Sequence, residues 1–257
     1  MKKLLLSAFL LLFSATAHAG IVKKSIDYKQ GDTVLAGTVV YDDSSSDKRP
    51  GVLVVHQWMG PTEHEVTQAE KLAKLGYVAF VADIYGKGVR PKTMQEATEQ
   101  AGKYRADRAL LRKRVAAGLE TLRSQPMVEP KKVAAIGYCF GGGAVLELAR
   151  SGADLPGVVS FHGNLDTPNP DDAKNIKARL LVLHGDKDPH VGPDVVAAFA
   201  KEMVSANVYF TITGYPDAVH AFTQKSAGDD PSKGVAYNAK AAEASWKAML
   251  QFFDEIF

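Results

Sequence analysis

The chain is short of cysteine: Cys139 stands alone among 257 residues, so no disulfide can form within it. A single thiol without a partner is either packed away as a small apolar group or put to use. Long apolar runs are scarce too. The one near the start, Leu4 to Leu6 and then Ala8 to Phe13, spans about ten residues, half of what a membrane-crossing helix needs. Excess charge is missing as well, with 31 Lys and Arg against 29 Asp and Glu. That balance gives no electrostatic footprint for nucleic acid. There is no internal repeat, no low-complexity tract, and no H-E-x-x-H or comparable metal-ligand spacing among the histidines.

Lys2 and Lys3, the short apolar run and Ala17-His18-Ala19 read as a secretory signal peptide over residues 1–19, cleaved after Ala19. The expectation is therefore one domain over 20–257, periplasmic or secreted, with no stable membrane insertion once the leader is gone. Losing Lys2 and Lys3 leaves acids and bases equal in number.

Short β-branched or apolar runs recur at 33–41, 52–56, 77–82, 132–136, 157–161, 179–184 and 208–213. Helical stretches are expected at 61–75, 93–123, 142–151, 193–205 and 235–257, the second divided if Gly102 interrupts it. Such alternation predicts an α/β fold, a mostly parallel central sheet flanked by helices on both faces, with ligands at the carboxyl ends of the strands. Residues 42–49, rich in Ser and Asp, read as a hairpin loop between two early strands. Arg105, Arg108, Arg112, Lys113 and Arg114 read as a solvated helix face, and His64, between Glu63 and Glu65, as a helix-surface residue.

Gly137-Tyr138-Cys139-Phe140-Gly141-Gly142-Gly143 follows an apolar strand and opens a helix, the context of a nucleophile elbow. Small residues at Gly137 and Gly141 allow strand and helix to approach closely. A helix start also favours the thiolate of Cys139. A carboxylate and a histidine follow in the chain order of α/β-hydrolases: Gly185-Asp186-Lys187-Asp188 beyond one late strand, and Asp217-Ala218-Val219-His220-Ala221-Phe222 beyond the last. Asp188 is the preferred acid, with Asp186 and Asp217 as alternatives. His56, His162 and His184, at strand ends, either line the site or satisfy backbone groups, the structural reading being preferred.

These motifs resemble the dienelactone hydrolase family of α/β-hydrolases over nearly all of residues 20–257. The resemblance implies an α/β-hydrolase fold and a Cys139, Asp188 and His220 triad that hydrolyses small-molecule esters or lactones without a metal or organic cofactor. It implies an oxyanion hole from the backbone N–H groups of Trp58 and Phe140, and substrate-facing positions at Gln57, Tyr85, Lys87 and Gln224. Gln57 stands where the dienelactone enzymes carry a glutamate paired with the thiol, so His220 must engage Cys139 directly. Lys87 and Gln224 replace arginines that hold a substrate carboxylate, which argues against dienelactone itself as substrate. Two rival functions are a catalytically degenerate small-molecule binding protein, which Gln57 supports, and a redox role for the thiol, which the absence of a resolving cysteine opposes.

Overall fold

The computed structural model describes residues 20–257; the expected leader, 1–19, lies outside the described residues. An eight-stranded sheet runs in the order β1-β2-β4-β3-β5-β6-β7-β8. Its strands are β1 (Ile21–Gln30), β2 (Thr33–Asp42), β3 (Arg49–Val55), β4 (Val78–Ala82), β5 (Val128–Tyr138), β6 (Gly157–Phe161), β7 (Arg179–Gly185) and β8 (Phe210–Tyr215). From β4 to β8 all neighbours are parallel, and β2 lies antiparallel to both β1 and β4. This is the α/β-hydrolase fold expected from the motifs.

Residues Val52 to Val55 and Val78 to Ala82 are all buried, as uninterrupted apolar strands must be when helices cover both sheet faces. One face carries α1 (Glu63–Lys74) and α6 (Ala239–Ile256), which pack Leu72, Met249 and Phe253 onto Val54, Ile136 and Val159. The other carries α2 (Met94–Ala106), α3 (Arg108–Arg123), α4 (Phe140–Arg150) and α5 (Pro193–Ser205), which pack Tyr104, Val115, Val145 and Phe199 onto Leu53, Ala135 and Val182. Among the described residues no helix is long and apolar enough to cross a membrane.

Several local expectations are corrected. Residues 42–49 are not a hairpin loop: β4 lies between β2 and β3, so the segment crosses over a strand. The hairpin is β1–β2, turning at Gly31 and Asp32. β1 escapes hydrophobic patterning because it is an edge strand whose lysines face water. The long helical stretch divides at Asp107, not Gly102; the Asp107 carboxylate accepts the Leu110 N–H at 2.8 Å and starts α3. In the same way Thr62 caps α1 two residues later than expected, and Asn238 caps α6.

The basic run is a solvated face only in part: Arg105 and Lys113 are exposed, whereas the other three are engaged. Arg114 is buried against Thr33, and Arg108 pairs with Asp166. Arg112 bridges Glu147 at 2.7 Å and Asp172 at 2.6 Å. Glu147 also meets Arg150 at 3.1 Å, and Arg150 reaches Glu202 at 2.7 Å and the Leu165 carbonyl at 3.0 Å. The network ties α3, α4, α5 and the 3-10 helix Pro170–Asn175 together around the helix that follows Cys139. Because Arg150 is 1% exposed, removing it strips Glu202 of its cation and leaves Glu147 with Arg112 alone in a dry site. Arg150→Met is expected to lower unfolding stability by about 3 kcal/mol, read from urea denaturation.

Candidate active site

The strand order reverses between β3 and β5, which is where an open α/β sheet leaves a crevice at its carboxyl edge. β3 runs out there into His56, Gln57 and Trp58, and β5 into Cys139. Cys139 adopts φ 53° and ψ −116°, a conformation that costs an L-residue roughly 1–3 kcal/mol. Close packing imposes it. A Cβ on Gly137 would lie 2.0 Å from the Gly141 oxygen, and one on Gly141 would lie 2.2 Å from the Val55 oxygen. Only glycine lets β5, β3 and α4 meet at this turn. The Cys139 N–H is shared between the Phe161 carbonyl at 3.0 Å and His162 Nδ1 at 3.2 Å.

His220 Nε2 lies 3.0 Å from Cys139 Sγ, and its Nδ1 lies 2.8 Å from Asp188 Oδ2. The other Asp188 oxygen accepts the His190 N–H at 2.8 Å. Two loops are clipped together to hold this line: Lys187 N–H donates to Ala218 O, and His220 pairs in a short bridge with Val235. The alternatives for the acid are placed elsewhere. Asp217 pairs with Lys187 on the surface, and the Asp186 carboxylate sits against Gly214.

Burial works against a charged His220, but Asp188 and the Cys139 sulfur on its two nitrogens outweigh it and raise its pKa to about 10. The imidazolium is therefore favoured, the form that pairs with a thiolate. Burial has the opposite result at His56, lowering its pKa to about 4. His56 accepts the Ile84 N–H on Nε2 and contacts the Gln57 carbonyl through Nδ1, a structural role. His162 is likewise pushed down, by burial first and then by His220. With Nδ1 accepting from Cys139, its Nε2 donates to Thr223 Oγ1 at 2.8 Å. His184 is pushed down by burial as well.

The residues expected to face substrate are placed unevenly. Gln57 is buried and turns its Nε2 toward Glu65 Oε1 at 3.5 Å; the same oxygen takes the Gln57 N–H at 3.3 Å. The second Glu65 oxygen accepts the Thr62 N–H at 2.9 Å and hydroxyl at 2.7 Å, so Glu65 fastens the 57–62 loop to α1. Tyr85 also serves that loop, donating its hydroxyl to the Trp58 carbonyl at 2.8 Å. Lys87 is held by Asp27 on the edge strand β1 rather than at the thiol. Gln224 bonds Ser226. The N–H groups of Trp58 and Phe140 meet no acceptor among the described residues.

Four participants escaped sequence reasoning. Glu65 was read only as a neighbour of a surface histidine, yet it is fully buried, and His64 itself packs on Tyr138 with ring centroids 4.9 Å apart. The T-x-x-E capping box at Thr62 and Glu65 was the available signal. His190 stands edge-on to His220, 5.1 Å between centroids, and Arg90 packs against Gly60 with its guanidinium on Asp83. Thr223 had no signal, since its importance comes through His162.

A cysteine on a strand-to-helix elbow, aligned with a histidine and an aspartate from two later strand ends, is the layout of an α/β-hydrolase. The Dienelactone hydrolase family profile matches residues 35–257, and the chain belongs to that family. A solved protein named m3DLH is 38% identical, with TM-score 0.89, over 92% of this chain and 99% of its own. A dienelactone hydrolase-like promiscuous phosphotriesterase from metagenomic libraries is also 38% identical, with TM-score 0.88 and the same coverages. The protein Usf of Aquifex pyrophilus is 29% identical over 218 residues, 80% of this chain and 88% of Usf. The chain is thus a dienelactone hydrolase-like hydrolase whose Cys139, His220 and Asp188 fit a triad.

The raised His220 pKa has a consequence for stability. A group held protonated in the fold stabilises it fully below its unfolded pKa of about 6.5 and ceases to as pH rises through about 10. The stability difference between the protein and His220→Gln should shrink by about 4 kcal/mol between pH 6 and pH 10.5. Urea unfolding at the two pH values measures it, and an unchanged difference would contradict the imidazolium.

Proposed function

We propose that this protein is an exported esterase or lactonase that passes its acyl group through a thioester on Cys139. The observation that carries this reading is the contact of 3.0 Å between Cys139 Sγ and the Nε2 of a histidine already oriented by Asp188. It removes the need for a carboxylate at position 57, because His220 takes the thiol proton itself.

The Cys139 thiolate attacks the carbonyl carbon of the ester, and the carbonyl π electrons move onto oxygen. The N–H groups of Trp58 and Phe140 receive that oxyanion; such donors are typically worth roughly 3 kcal/mol each. Glu65 and Tyr85 keep the Trp58 N–H in position by holding its loop from both sides. As the tetrahedral intermediate collapses, the ester C–O bond breaks and the His220 imidazolium protonates the departing alkoxide, which stays tethered if the substrate is a lactone. Neutral His220 then takes a proton from water, hydroxide adds to the thioester, and cleavage of the C–S bond returns the thiolate. Asp188 holds the Nδ1–H tautomer throughout.

Lys87 is paired with Asp27, and Gln224 carries no charge. Neutral esters and lactones therefore suit the site better than substrates bearing a second carboxylate. The phosphotriesterase named among the solved relatives adds neutral phosphotriesters to the same screen.

Hydrolysis of 4-nitrophenyl acetate should fall about a thousandfold or more in Cys139→Ala and remain unaffected by a chelator. Turnover that survives the substitution would refute the thioester, and substrate binding without turnover in the unaltered protein would favour the degenerate binding protein. For export, intact mass should give a mature protein beginning at Gly20 in the periplasm or medium. Recovery of the whole chain in the cytosol would refute it.

A further inference from the structure

A second cavity of about 650 Å3 opens between α1, α6 and the loop after His220. None of Cys139, His220, Gln57 or Trp58 lines it. Two lysines do, Lys71 and Lys225, and neither has a carboxylate partner among the described residues. Of the two acids at this cavity, Glu243 pairs with Lys247 at 2.6 Å, and Glu63 is exposed in the first turn of α1. Lys71 also lies over the Trp246 ring, 5.2 Å from its centroid. Burial and the neighbouring Lys225 push the Lys71 pKa down, and its ammonium donates to the neutral Gln68 Oε1 at 3.3 Å.

The floor of the cavity carries unmet hydrogen-bonding capacity. The Tyr138 hydroxyl and His64 Nε2 are both sealed from solvent without a partner, and Tyr138 is 1% exposed. Native folds rarely leave such atoms unsatisfied. Thr223 lines the same cavity. Its oxygen accepts from His162 Nε2, which leaves the hydroxyl proton free to donate.

We propose that this cavity is a second ligand site, for small aryl carboxylates, coupled to the nucleophile elbow. The carboxylate sits between Lys71 and Lys225, and the flat body lies against Trp246. Thr223 donates to the ligand, His162 donates to Thr223, and His162 Nδ1 accepts the Cys139 N–H. An anion at the far end draws the His162 proton outward and makes Nδ1 the better acceptor for the strained residue. Tyr138 adds a covalent link, since it precedes Cys139 directly.

The test is a titration of isotopically labelled protein with benzoate, followed by NMR. The chain has two tryptophans, so the Trp246 indole signal is assigned by its loss in Trp246→Phe. Saturable shifts are expected at the Trp246 indole and at the backbone amides of Thr223 and residue 139. They should persist in Cys139→Ala, which makes the result independent of whether the thiol is catalytic. Lys71→Met with Lys225→Met should weaken binding about tenfold or more, and Lys225→Met alone provides a milder exposed change if the double variant unfolds. Absence of any Trp246 shift, equal affinity without the lysines, or loss of binding in Cys139→Ala would each overturn the proposal.

Discussion

Holding a cysteine at positive φ where a buried strand turns into a helix is the constraint to which the rest of the molecule answers. The conformation is unfavourable for any side-chain-bearing residue, so it persists only where its surroundings leave no other path. Here those surroundings are backbone atoms in van der Waals contact. Gly137 touches Gly141, and Gly141 touches the end of β3. Both contacts need a sheet in which β3 and β5 are neighbours and a helix that begins immediately after Cys139. The apolar strands and the helices on either face secure that geometry, and the buried Arg150 network ties α4 to its neighbours.

Around the elbow the same economy recurs, with each polar group serving to place another. Asp188 uses one oxygen for His220 and the other for its own loop. Glu65 spends one oxygen on Gln57 and the other on Thr62, so a helix cap also anchors the loop that presents the Trp58 N–H. His162 joins the elbow to Thr223. Three histidines in this region carry different charges for stated reasons. At His56 burial outweighs the nearby Asp83 carboxylate, and at His162 burial and His220 act together, so both stay neutral, while His220, between a carboxylate and a sulfur, is held protonated.

The parallel strands were legible because each is a short run of consecutive apolar residues, and the elbow because its glycines surround a single cysteine. β1 was not, since an edge strand with lysines facing water lacks the apolar pattern. The break at Asp107 was missed because a capping side chain, rather than a glycine, ended one helix and began the next. Arg112 and Arg114 looked like a solvated face, since sequence periodicity says nothing of the carboxylates from α4 and a 3-10 helix that meet Arg112, or of the Thr33 hydroxyl that meets Arg114. Lys87 was assigned to substrate by correspondence with an arginine, and the structure turns it to Asp27.

Sequence alone determined the alternation of strand and helix, the strained cysteine between its glycines, and the order of cysteine, carboxylate and histidine along the chain. These are local properties, written in apolar runs and in residues that tolerate or forbid a backbone conformation. Only the tertiary structure decided which aspartate faces His220, that Gln57 turns to Glu65, and that Thr223 reaches Cys139 through His162. Those pairings join side chains from loops far apart in sequence, and a side chain's partner is set by where the packed sheet brings its loop.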